Sequence, residues 1–132
     1  MDSSVRQFVR QRAGGRCEYC HLPEHADEWT FHIDHIVAKD HGGTDDASNL
    51  AWACTQCNLH KGTSFASVDP ASLRRVDLFD PRNQSWHEHF EIDVDSRVMG
   101  LTPHGRATVR LLHMNDLPRW DLRRELIDQG DF

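Results

Sequence analysis

Apolar residues first fall at helical spacing near the N-terminus, where Val5, Phe8 and Val9 line up with Arg12. This predicts a helix over residues 4–13, with Ser3 or Ser4 as its N-cap and Ala13-Gly14-Gly15 as its stop. From Phe31 to Lys39 the chain is β-branched and aromatic enough to predict a strand. The next ten residues, 40–49, are turn-forming almost throughout, and Leu50-Ala51-Trp52-Ala53 reads as a short second strand. A short helix is expected to begin at Cys57 or Asn58. Beyond residue 66, Asp69-Pro70 and Asp80-Pro81 mark turns. Phe90, Ile92 and Val94 alternate with Glu91 and Asp93, and residues 97–101 are placed as the returning strand of a hairpin. Thr102-Pro103 then predicts a helix to about Met114, and Asp116-Leu117-Pro118 opens another with Leu122, Leu126 and Ile127 facing inward.

At 132 residues and 38% apolar content the chain holds one core, not two, and no internal repeat breaks it up. Its apolar runs are a few residues long, too short to span a membrane. The first residues lack the basic start and apolar stretch of a secretory signal, so a cytoplasmic protein is expected.

The cysteines change the picture most. All four fall in two pairs, Cys17/Cys20 and Cys54/Cys57, each separated by two residues. In a cytosolic chain such pairs read as thiolate ligands of one structural Zn²⁺ rather than as disulfides. With the intervening segments, the order is knuckle, hairpin, then a helix whose first turn carries the last ligand. That is the order of a treble-clef zinc site. The net charge of −6 argues against a nonspecific nucleic-acid coat protein, which would be basic. It leaves open an enzyme that gathers acids around a metal.

Between residues 32 and 61 stand Asp34-His35, Asn49 and Asn58. An imidazole is a natural base for a water near neutral pH. A carboxylate with an amide oxygen offers two hard ligands, suited to Mg²⁺ or Mn²⁺. An asparagine bonded to the histidine would fix its tautomer. His32, two residues before Asp34, and His60, two after Asn58, are left open between phosphate contact and plain surface. The other histidines lack motif context. Trp29, Trp52, Trp86 and Trp120 are expected as core anchors. Arg106 and Arg110, one turn apart on a predicted helix, are expected on a solvated face.

The run CEYC…HIDHIVAKDHGGTDDASNLAWACTQCNLHKG, residues 17–62, resembles the HNH endonuclease family of the ββα-metal fold. The rest, including GLTPHGRATVRLL, is similar to the C-terminal extension of small stand-alone bacterial HNH proteins. One departure is Ala38-Lys39, where many relatives carry a proline soon after the histidine; it is expected to alter the loop. The resemblance implies an α+β fold: a ββα-metal nuclease core on a treble-clef zinc site, with a C-terminal hairpin and helices packed on it. One domain would span residues 1–132, its core about 4–66 and its extension about 67–132. The implied activity is metal-dependent hydrolysis of DNA phosphodiester bonds. His35 would be the general base, Asp34 and Asn58 the catalytic-metal ligands and Asn49 the residue that orients His35 and braces the loop. Lys61 would reach a phosphate, and Cys17, Cys20, Cys54 and Cys57 would hold the structural zinc. The alternative is a noncatalytic zinc module that binds nucleic acid or protein. It would need the cysteines and none of Asp34, His35 and Asn58. Along a regular strand, Asp34 and His35 point to opposite faces, so both reach one phosphate only where the strand bulges or ends.

Overall fold

The computed structural model describes residues 1–132. Strand β1 (His32–His35) pairs antiparallel with β2 (Leu50–Ala53), in the register His32 opposite Ala53 and His35 opposite Leu50. All four residues of β2 are buried, which explains why its short run is apolar without alternation. β1 ends four residues before the predicted Lys39. The Ile36 N–H still donates to the Asn49 carbonyl, but at Val37 a side chain takes over the pairing. The Val37 N–H donates to Asn49 Oδ1 (2.9 Å), and Asn49 Nδ2 donates back to the Val37 carbonyl (2.9 Å) and to that of Thr44 (2.8 Å). The chain then turns through Gly42, at φ +89°, and Gly43. A Cβ on Gly43 would sit 1.7 Å from the Val37 carbonyl oxygen, so the loop closes only around glycine.

Helix α1 (Ser3–Arg12) starts one residue earlier than predicted. Its cap is Asp2, not a serine: the carboxylate accepts from the N–H groups of Ser4 and Val5. Helix α2 (Thr55–Lys61) starts two residues before Cys57, because Cys54 is its N-cap and the second cysteine pair lies across its first turn. The knuckle–hairpin–helix order is therefore present, with β1, β2 and α2 as its ββα unit.

The C-terminal half holds the predicted hairpin, β5 (Phe90–Ile92) with β6 (Val98–Gly100), though fully exposed Val94 belongs to the turn. Both predicted helices follow. α4 (Pro103–Leu111) is capped by the Thr102 hydroxyl, and α5 (Leu117–Asp128) buries Leu126. A further hairpin, β3 (Ala66–Val68) with β4 (Arg75–Asp77), and the short α3 (Trp86–His89) were not predicted. Their apolar positions are too few to give a period. Arg106 also departs from expectation. It makes two 2.9 Å bonds to the fully buried Asp69 and holds this hairpin to α4, while Arg110 stays exposed as expected. Trp52 and Trp86 are buried core anchors, but Trp29 is 64% exposed and anchors nothing.

One cluster of 17 buried residues runs from Val9 through Tyr19, Leu50 and Trp52 to Phe90 and Met114, so both halves share it. Leu50→Ala should cost about 2–5 kcal/mol, the range for a fully buried leucine whose cavity cannot collapse. Urea denaturation of the two proteins measures it; a change below about 0.5 kcal/mol, the usual limit for a surface substitution, contradicts this packing. No helix is long and apolar enough to cross a membrane.

Candidate active site

The two knuckles bring the four cysteines together, each at most 2% exposed. Their sulphurs lie within 4.8 Å of one another, with Cys20 Sγ 3.7 Å from Cys54 Sγ. Zinc–thiolate bonds of about 2.3 Å put neighbouring sulphurs of a tetrahedral ion roughly 3.8 Å apart, so the cluster fits zinc and is far too open for a disulfide. Burial pushes the Cys17 and Cys57 thiols up, while hydrogen bonds with Cys17, Cys54 and Cys57 pull the Cys20 thiol down. One cation is supplied from the far end of the chain. Arg119 on α5 donates to Cys57 Sγ at 2.9 Å.

The hairpin positions the acid-histidine pair beside this cluster. Asp34 is only 4% exposed. Its Oδ2 accepts from the Tyr19 hydroxyl (2.7 Å), and the Lys61 ammonium lies 3.1 Å from the same oxygen. Burial raises the Asp34 carboxyl above its ordinary range, and Lys61 and Tyr19 oppose that shift. Lys61 is itself buried. Its remaining bonds go to the His35 and Ile36 carbonyls (3.0 and 3.2 Å), so the ammonium is spent inside the protein. The expected reach of Lys61 to a phosphate is thus not seen; it braces Asp34 and the end of β1.

His35 is the last residue of β1, and the backbone ladder runs past it only as far as Ile36. Asp34, His35 and Asn58 line one open cleft with Lys39 and Asp40. The His35 imidazole makes its bond through Nε2 to Asp45 Oδ1 (2.8 Å), and Lys39 Nζ holds the other oxygen of Asp45 (2.9 Å). These bonds keep the Asp45 carboxyl below the usual carboxylate range. The expectation that Asn49 contacts the imidazole is corrected, because its amide is used up on the backbone of Val37 and Thr44. It braces the loop, and the loop delivers Asp45. Nothing local in the sequence singled out Asp45, one of several acids in a polar loop. His32 faces Thr55 (Nε2 to Oγ1, 3.2 Å), and His60 stacks on His113.

Residues 17–64 match the family model described as HNH endonuclease. The chain carries an HNH domain. The match takes in both knuckles and Asp34, His35, Asn49, Asn58 and Lys61, and it places the segment in a nuclease family. Over 125 residues the chain is 26% identical to the Septu protein PtuB of Bacillus thuringiensis. That alignment covers 93% of this chain and 46% of PtuB, so the chain spans about half the length of this curated relative. No solved structure matches the chain. The HNH segment ends just after α2, and everything from β3 onward lies outside it.

Proposed function

We propose that the chain is a metal-dependent endonuclease that hydrolyses DNA phosphodiester bonds, leaving 5′-phosphate and 3′-hydroxyl ends. One observation carries this reading: Asp34, His35 and Asn58 converge on a single open cleft at the end of β1. A noncatalytic zinc module has no use for that convergence.

The carboxylate of Asp34 and the amide oxygen of Asn58 are hard donors, and they would hold Mg²⁺ or Mn²⁺. When bound, the ion supplies Lewis-acid stabilisation of the phosphate and of the departing oxygen. Lys61 and the Tyr19 hydroxyl favour the ionised form of Asp34 and so oppose the upward push of burial on its carboxyl. Asp45 accepts from His35 Nε2–H, which leaves Nδ1 as the lone pair free to take a proton from water. As the imidazole becomes charged, Asp45 stabilises it in the way the triad aspartate does. Asn49 acts at one remove, by holding the loop that carries Asp45.

The test is the rate of plasmid cleavage against Mg²⁺ concentration, with Mn²⁺ and EDTA as controls. Asp34→Ala should stay inactive at high Mg²⁺, because a ligand and its charge are both gone. Asn58→Asp should be milder, since it keeps an oxygen in place. Circular dichroism and zinc content check that each variant is folded. An Asp34→Ala protein that follows the wild-type curve would refute the assignment, and a wild type that cuts under no metal condition favours the noncatalytic module.

A further inference from the structure

Helix α2 meets the C-terminal helices at a second cluster of metal-ligating side chains. The His60 ring on α2 stacks on that of His113, with centroids 4.1 Å apart and planes 28° from parallel. His113 Nδ1 lies 3.3 Å from Asp116 Oδ2, and ligand atoms of all three residues lie within 4.8 Å of one another. Zinc–nitrogen and zinc–oxygen bonds of about 2.0–2.1 Å place neighbouring ligands of a tetrahedral ion roughly 3.3 Å apart. The His113–Asp116 edge already has that length, and the His60 ring would complete a triangular face by turning out of its stack on His113.

The backbone under this cluster is held in place. His113 sits at φ +52°, a left-handed conformation uncommon for a residue with a Cβ. Arg119 donates to the Leu112 and His113 carbonyls while its other nitrogen bonds Cys57 Sγ. The turn between α4 and α5 is thereby fixed against α2. About half of the His113 and Asp116 side chains is exposed, so an ion could enter and keep water ligands.

We propose that His60, His113 and Asp116 form a second cation site, distinct from the cysteine cluster and from the cleft. Two imidazoles and one carboxylate select a borderline transition metal, Zn²⁺ or Ni²⁺, over Mg²⁺. The bound ion clips the C-terminal helices to the helix that also carries Cys57, Asn58 and Lys61. This inference does not depend on the nuclease reading.

The test is a calorimetric titration of the zinc-loaded protein with Ni²⁺ in excess Mg²⁺, which fills hard-oxygen sites and competes poorly for imidazole. One Ni²⁺ per chain should bind, with a rise in Tm through linkage. His113→Asn, which keeps a residue tolerant of the left-handed backbone, and His60→Gln should each abolish that event while retaining their zinc. Asp116→Asn, a surface change that the fold should accept, should weaken it. Ni²⁺ binding absent from the parent protein, or undiminished in any of the three variants, overturns the proposal.

Discussion

Replacing His35 by alanine should lower plasmid cleavage by about 10²–10⁴-fold, the usual contribution of a positioned general base. The fold should not suffer. His35 ends its strand and lines an open cleft, and the bond its backbone carbonyl accepts from Lys61 survives the change. The variant should therefore keep its zinc and its circular dichroism spectrum, so that lost activity reports chemistry. Asp45→Ala should cause a smaller loss. It frees the imidazole to take either tautomer and removes the partner of the imidazolium, but the base itself remains. A folded His35→Ala protein cutting at the wild-type rate would mean that another group activates the water.

The second large effect concerns the cysteines. Protein purified without added metal should contain one tightly held zinc per chain. Removing it should bring a large fall in Tm, followed by circular dichroism. Structural zinc supplies about 10–16 kcal/mol of apparent binding energy in finger peptides at neutral pH. Here the four sulphurs lie within the shared core, and stripping the ion leaves four thiols buried together beside the half-buried Arg119 side chain. The two metal classes should separate on chelation. Brief EDTA treatment should stop cleavage and leave the zinc and the melting curve unchanged, because two oxygen donors hold a cation weakly. Added Mg²⁺ should restore cutting. Protein that carries no stoichiometric zinc, or that melts identically without it, contradicts the structural role.

Much of this was written in short-range signals. The cysteine spacing, the acid-histidine pair and the Asn49-Leu50 start of the second strand are local patterns, and each lies where its pattern indicates. The Thr102-Pro103 and Leu117-Pro118 signals likewise begin helices. What stayed hidden depends on contacts made across the chain. Asp45 is indistinguishable from Asp46 until Asn49 ties down the loop. A lysine in a polar helix reads as solvated or as a phosphate contact, and only tertiary packing turns Lys61 inward. Arg119 lies 62 residues from the sulphur it bonds. The hairpin at 66–77 coheres through the Asp69–Arg106 pair rather than through an apolar stripe, so hydrophobic periodicity had nothing to register there.

The inward turn of Lys61 also leaves the mouth of the cleft poor in positive charge. Asp34 and Asp40 line it, Asp45 stands behind His35, and the remaining lysine, Lys39, is already paired with Asp45. A polyanion approaching such an opening meets carboxylates that Lys39 alone among the lining side chains partly offsets. On the proposed reading, a divalent cation is then an admission requirement as well as a reagent. The backbone of a nucleic acid would dock only on protein that already holds its ion. On that same reading, an apo molecule would neither cut nor readily engage DNA.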